Sequence, residues 1–451
     1  MKAFKFFGIT ASLLLFAAAC GENGVKPDTG KIDPKYEGLI LNEIGALDNL
    51  DEVDSWVEIK NVSDETKSLD GLSLFITDEF FTGKNIASLS GSIPAGGRMV
   101  VSTADGTIIT GISSAAPFTL VLGTDAKTAA DSYENPEGAP VLGRFGSYQR
   151  IPDGSGEWRR LTYSSPGREN YVFNLEDYKP TAVWAWGSHL SDLIADDGAK
   201  MRNLKKLGYD HILMNYAGFE NKNYRQQAIK FIQLSDEIGL VPHVWLQCFY
   251  DGGWVSPVDD ANKCYKEEIF ARIREDAKRY IEEWGVRGVH LDYIRFGGTA
   301  YKHNPSADVT AVGAVNRCCR EIRETTDSFD EGLVTSAALM PEPNSSEYYG
   351  QIPSQMSKWI HILMPMIYRY GSYNFSDKSF QDRSNYYADQ AKAGGGVSWS
   401  GIQTYDASTK GMSAEALRKD IDLMAGTRSA GVVLFRYQLG TYPDVNDLWN
   451  N

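Results

Sequence analysis

The sequence predicts a β-sandwich followed by a (β/α)8 barrel, joined by a short link. Three observations carry this. Short runs of β-branched and apolar residues, punctuated by Gly, Asp and Ser, fill residues 38–170, the pattern of an all-β sandwich. After Tyr178-Lys179-Pro180 the chain alternates apolar runs with amphipathic stretches, as strands and crossover helices of a parallel sheet do. Eight such runs fill residues 180–451, the accounting of a closed (β/α)8 barrel. A doubly wound open sheet is the alternative, but no G-x-G-x-x-G follows the first run.

In chain order, residues 1–20 read M-K-A-F-K-F-F-G-I-T-A-S-L-L-L-F-A-A-A-C. Two lysines, a short apolar run and small residues before a cysteine make a secretory signal. The run is shorter than the roughly 20 residues a spanning helix needs. Its A-A-A-C ending resembles a bacterial lipobox, which implies removal of residues 1–19 and lipidation of Cys20. Lipid chains anchor by burying methylene groups, so the expected location is the bacterial cell envelope, in the outer membrane, facing periplasm or surface. Residues 20–37, with Pro, Gly and charge, are a flexible tether.

The formal net charge of −14 argues against nucleic acid as a partner. Ten Trp and 24 Tyr supply flat side chains suited to sugar rings or a β-rich core. Five Cys and six His show no zinc spacing, and neither metal nor cofactor is expected. Cys248 and Cys264 flank one loop and can pair in an exported chain. Cys318 and Cys319, adjacent on a helical stretch, pack as small apolar side chains.

Within 38–170 the clearest strands are 39–44, 55–61, 72–77, 98–103 and 118–123. The ordered segments L-N-E-I, D-S-W-V-E-I-K-N, S-L-D-G-L-S-L, I-P-A-G-G and R-I-P-D-G-S-G-E-W…S-P-G-R-E-N resemble the lamin-tail domain. That resemblance implies an immunoglobulin-like sandwich and no particular activity. Glu43 and Glu58 fall in the recurring motif, where an edge carboxylate bonding backbone amides is expected.

A link, 171–179, leads to strand-like runs at 183–187, 211–216, 241–249, 288–293, 333–340, 360–368, 397–405 and 431–437. Helical patterns at 224–238, 266–284, 310–326 and 414–423 separate most of them, and the change of composition predicts separately folded halves. Active sites of such barrels lie at the C-terminal ends of the strands. Those ends carry Trp184, Trp186, Asn215, Gln247, Asp251, Asp292, Glu342, Tyr368, Gln403, Tyr405, Asp406, Arg436 and Tyr437. Aromatic, amide and acidic groups on one rim suit a carbohydrate, whose ring faces stack and whose hydroxyls bond. In G-V-H-L-D-Y-I-R-F, Gly288 to Phe296, strict alternation puts His290, Asp292 and Ile294 on one face.

The stretches A-I-K-F-I-Q-L-S-D-E-I-G-L-V-P-H-V-W-L, G-V-H-L-D-Y-I-R-F and H-I-L-M-P-M-I-Y resemble the glycoside hydrolase-like 10 family. The resemblance implies a hydrolase of oligo- or polysaccharides with Asp292 at the acting position. A more distant likeness is to glycoside hydrolase family 18, whose D-x-x-D-x-D-x-E ends on an acid where this chain has Ile294. His290 replaces an earlier Asp of that motif, so the family 18 substrate-assisted step does not carry over. Glycoside cleavage generally uses two carboxyl groups. Asp292 is the first and Glu342, stiffened in M-P-E-P, the preferred proton-donating second, ahead of Asp251 and Asp406, which suit turns. Arg295 and Tyr368 are expected to hold or tune Asp292. Two other readings stay open at this level: a glycan-binding surface protein without catalysis, and an interaction protein working through the sandwich.

Overall fold

The computed structural model describes residues 27–28, 31–45, 53–172, 181–329 and 332–448. Cys20 and its signal lie outside the described residues. In the first half the strands are β1 (Leu39–Gly45), β2 (Trp56–Asn61), β3 (Lys67–Ser68), β4 (Ser73–Thr77), β5 (Lys84–Ser88) and β6 (Ser92–Ile93). They continue with β7 (Arg98–Ser102), β8 (Phe118–Gly123), β9 (Ala129–Asn135), β10 (Ser147–Ile151) and β11 (Glu157–Leu161). One antiparallel sheet runs β11-β10-β1-β2-β7 and a second β5-β4-β8-β9. Alternate apolar residues of both, among them Leu41, Val57 and Ile59 on one and Leu74, Ile76 and Leu120 on the other, close a single core. Glu43 and Glu58 sit on the central strands β1 and β2, buried, and not at an edge. Each does accept a backbone amide, from Ser165 and Gly167 respectively, both at 2.8 Å.

The second half closes a barrel. Its strands are β12 (Thr181–Ala185), β13 (His211–Asn215), β14 (Val241–Gln247), β17 (Gly288–Asp292), β18 (Val334–Leu339), β19 (Ile362–Pro365), β20 (Val397–Gln403) and β21 (Gly431–Phe435). A small hairpin, β15 (Val258–Asp259) with β16 (Cys264–Tyr265), lies between β14 and β17. Parallel pairing runs around the ring and β12 bonds both β13 and β21, which eliminates the open-sheet alternative. The longer outer helices are α1 (Leu190–Lys206), α3 (Arg225–Ile238), α4 (Glu267–Trp284), α5 (Ala311–Asp327), α8 (Asp377–Gly394) and α9 (Ala414–Ala425). Short α2 (Ala217–Glu220), α6 (Ser345–Tyr349) and α7 (Pro353–Met356) fill loops. Residue parity sorts the strands: Trp184, Leu213, Trp245, Met364, Trp399 and Val433 fill the barrel interior, while Val183, Ile212, Val244, Leu291 and Leu434 face the helices.

Helix α4 shows how the two halves meet. Its Ile269, Ile273, Ala277, Tyr280, Ile281 and Trp284 bury one face at helical spacing. It stops at Gly285 in the left-handed conformation, φ 58°. A Cβ on Gly285 would lie 2.7 Å from the Thr162 carbonyl oxygen, so a side chain there would clash with the sandwich as well as strain the turn. Phe145 stacks on Trp284 with ring centroids 6.2 Å apart. Phe145, Leu161 and Tyr163 belong to the same apolar cluster as the barrel's outer shell.

The expected Cys248–Cys264 pair is corrected. Both are free thiols, Cys248 buried in the barrel wall and Cys264 exposed on the hairpin, and Cys248 lies instead beside Cys318 of α5. Cys318 and Cys319 are buried as apolar filler. No helix among the described residues is long and apolar enough to cross a membrane.

Candidate active site

Asp292 ends β17, opposite Gln247 of β14, and is 9% exposed. The next residue, Tyr293, takes φ 52°, a left-handed conformation costly for a non-glycine residue. That turn brings the Tyr293 N–H back onto Asp292 Oδ1 at 2.6 Å, and Trp245 Nε1–H donates to Oδ2 at 3.0 Å. Burial raises the Asp292 pKa; the Tyr293 amide, the Arg295 charge and the Trp245 bond pull it down without cancelling the rise. The strand alternation ends here. Ile294 therefore packs in the outer shell, not beside Asp292 as strict parity predicts.

Arg295 sits in a cage of rings, 4.6 Å from the Trp254 centroid and 5.6 Å from those of Tyr293 and Tyr349. Trp254 lies directly over Gly297, where a Cβ would meet the indole at 2.7 Å, which explains that glycine. Tyr368 feels the Asp292 charge and stacks on Phe435 at 5.5 Å. Trp186 and Trp245 pack at 4.5 Å, with Phe435 edge-on to both. Arg295 and Tyr368 thus meet Asp292 through charge, and among the described residues neither hydrogen-bonds to it.

Glu342 follows β18, the neighbour of β17. Its Oε1 accepts from Tyr373 Oη–H at 2.7 Å, while Oε2 is buried with no partner among the described residues. Tyr349 and Tyr373 both feel Glu342 and Arg295, which places this carboxyl on the Asp292 side of the rim. Gln351 fixes the spacing. Fully buried, it donates through Nε2 to the carbonyls of Ile294 (3.2 Å) and Ala338 (3.1 Å) and accepts the Met340 N–H at 3.0 Å. One amide side chain therefore staples the segments that carry Asp292 and Glu342.

Several expected rim residues do other work. Trp184 is buried in the barrel interior and donates to His290 Nε2 at 3.0 Å. That bond puts the His290 proton on Nδ1, 2.9 Å from Ser336 Oγ, so both are packing residues. Gln403 bonds the Tyr370 N–H and the Tyr405 carbonyl, holding loops. Asp406 accepts from the Ser408 and Lys410 amides, a turn. Tyr437 is buried in the outer shell and donates to Asp192 at 2.8 Å. Arg436 lies 3.0 Å from His189, whose pKa burial and that charge draw down to about 4. Tyr405 is half-buried and feels Arg436. Asp251 is exposed at the tip of the Tyr250–Trp254 turn. Asn215 caps the Ala217 amide and keeps a buried Nδ2 without a partner among the described residues. Gln247 is half-buried at the mouth.

Sequence reasoning missed Trp245, Tyr293, Trp254, Tyr349, Tyr373, Gln351 and Phe435. Trp245 was within reach, having the inward parity that singles out Gln247. The loop residues carry no periodicity to read.

No family model matches the sequence, and neither does any curated protein. Among solved structures, the chain is similar to the glycoside hydrolase domain of PgaB (BpsB) from Bordetella bronchiseptica. That match has a TM-score of 0.42 at 9% identity, over 57% of this chain and 94% of that one. The spore cortex-lytic enzyme SleL of Bacillus cereus gives 0.42 at 11%, over 60% and 74%. Bacteroides uniformis beta-glucuronidase 2 gives 0.39 at 10%, over 89% of this chain and 47% of that one, so the chain spans about half its length. Such scores transfer no activity. The barrel stands on its own strand pairing.

Proposed function

We propose that this chain is a glycoside hydrolase acting on an oligo- or polysaccharide, with Asp292 and Glu342 as its two carboxyl groups. The observation that supports this best is Asp292 itself: a buried carboxyl at the C-terminal end of a barrel strand, ringed by Trp245, Tyr293 and Tyr368. Burial that raises a carboxyl's pKa makes it a proton donor. Asp292 is accordingly the acid that protonates the leaving oxygen, and Glu342 the second carboxyl group, which attacks or activates water. This reverses the division of roles expected from sequence. Trp186, Phe435 and Trp254 offer apolar faces to sugar rings, and Asn215 and Gln247 offer amides.

The same reading takes the barrel as glycoside hydrolase-like 10 in type and the sandwich as a lamin-tail-like, immunoglobulin-type accessory module. It takes Cys20 as the lipidated anchor to the envelope. Incubating the purified chain with a glycan panel that includes peptidoglycan fragments tests the activity through release of new reducing ends. On aryl glycosides, Asp292→Asn should recover as the leaving group improves, and Glu342→Gln should not. The opposite pattern returns the proton to Glu342. Cys20→Ser should leave the membrane fraction; unchanged fractionation and mass would remove the anchor.

A further inference from the structure

Among the described residues the exposed large apolar side chains of the barrel half are Trp254 (45% exposed), Tyr301 (54%) and Tyr348 (46%). All three are aromatic. They stand on the loops after β14, β17 and β18 respectively, three consecutive strands around the ring, on the face that carries Asp292. In the sandwich the corresponding residues are Val62, Phe80, Ile109 and Val141, of mixed type. Singly exposed apolar residues need no explanation, but a contiguous set beside a polar site marks a binding surface.

Here the set is contiguous. Tyr301 meets Tyr348 edge-on, centroids 6.3 Å apart, and Tyr348 meets Tyr349 at 6.4 Å. Tyr349 shares the Arg295 guanidinium with Trp254, and Trp254 packs on Tyr293, the residue after Asp292, at 5.4 Å. The rings thus run from the side of Asp292 outward to solvent, with the Arg295 guanidinium bridging Trp254 and Tyr349. The ledge is held in place: Phe296 N–H donates to the Tyr349 carbonyl at 3.0 Å, tying the loop after β17 to α6. Lys302 Nζ lies 5.5 Å from the Tyr301 ring centroid, adding a donor for hydroxyls at the outer end.

We propose that Tyr301 and Tyr348 form a distal platform, continuous with Trp254, that binds a linear glycan several sugars away from the scissile bond. This rests on the hydrolase reading and adds to it that the substrate is a chain and not a single terminal sugar. Aromatic faces stack on successive sugar rings whatever their linkage, so the platform sets chain length more than sugar identity.

The test uses the full chain carrying Asp292→Asn, so that bound sugars are not consumed. Chitohexaose, cellohexaose, maltohexaose and a galacturonate hexamer are titrated against the corresponding dimers. At least one hexamer should bind about tenfold or more tightly than its dimer, from two added ring contacts. The double variant Tyr301→Ala/Tyr348→Ala should lose that advantage and leave dimer affinity unchanged, while Tyr301→Phe/Tyr348→Phe retains it. Both positions are exposed, so unchanged melting confirms a folded variant. Full hexamer affinity in the alanine double variant overturns the platform, as does a panel in which no hexamer surpasses its dimer. A hexamer advantage lost with the tyrosines, while Asp292→Asn still turns substrate over, leaves the platform standing and removes Asp292.

Discussion

At the scale of single residues, proton counting favours a protonated Glu43. Ser165 Oγ lies within hydrogen-bond distance of Glu43 Oε2 (3.0 Å), Gln149 Oε1 (3.2 Å) and Asn170 Oδ1 (3.1 Å), yet carries one proton. Neither amide can be turned to help. Gln149 Nε2 donates to the Tyr163 carbonyl and Asn170 Nδ2 to those of Asn42 and Arg150. A protonated Glu43 removes one of the two excess acceptors by donating from Oε2 to Ser165 Oγ, leaving the Ser165 proton shared between Gln149 Oε1 and Asn170 Oδ1. Burial agrees, pushing its pKa from 4.5 up to about 8 against the Ser147 and Ser165 bonds. The folded state therefore holds a proton that the unfolded chain releases above pH 4.5. Its contribution to stability is whole below 4.5, falls as pH rises towards about 8, and is flat beyond. Glu43→Gln supplies the same donor without titrating, so it should flatten the fall in melting temperature between about pH 5 and about pH 8. An unchanged slope would place the proton elsewhere.

At the scale of elements, the barrel strands were legible because a period of two with apolar flanks survives in sequence. All eight runs became strands, and Asp292 fell at a strand end facing inward. In the sandwich, β3, β5, β6, β9, β10 and β11 escaped notice: β3 and β6 are two residues each, and Lys84–Ser88 and Glu157–Leu161 are largely polar and only partly buried. The site was legible to the depth of its strands. Trp184, Gln403 and Tyr437 went astray because a strand-end position does not tell whether a side chain meets solvent or a neighbour. Gln351 was invisible for the reverse reason: its effect depends on loops meeting in three dimensions. Replacing it with Leu would leave the Ile294 and Ala338 carbonyls and the Met340 amide buried without that partner. A loss of about 2–4 kcal/mol is expected, read from denaturant midpoints, with kcat falling further than stability as the two carboxyl loops separate. Near-normal stability and turnover in Gln351→Leu would show the staple to be dispensable.

At the scale of the whole molecule, the join between the halves contains a buried ion pair. Arg287, 1% exposed just before β17, donates to Asp236 Oδ1 (2.7 Å), the Ser164 carbonyl (2.5 Å) and Tyr171 Oη (2.6 Å). Ser164 Oγ–H donates in turn to Asp236 Oδ2 at 3.0 Å. Sequence composition predicts separable halves; a shared apolar cluster and the bonds from this pair to Ser164 and Tyr171 predict one cooperative unit. Heating should give a single transition in both near-ultraviolet and far-ultraviolet signals. Arg287→Ala, which removes the paired cation of buried Asp236, should cost about 3–5 kcal/mol. Two transitions, with a proteolysis-resistant barrel fragment, would show that the halves fold alone.

The account turns on Asp292 doing chemistry and not only filling a strand end. The direct measurement is the affinity and turnover of Asp292→Asn beside the unaltered chain, on whichever glycan the panel shows to be cleaved. Asn keeps the shape and its one oxygen can still accept from either the Tyr293 amide or Trp245, but it cannot supply the acid proton. Affinity should stay within about threefold while kcat falls about 10²–10⁴-fold. A folded Asp292→Asn protein with near-normal kcat would contradict the account and leave Asp292 a structural carboxyl held by Trp245 and Tyr293.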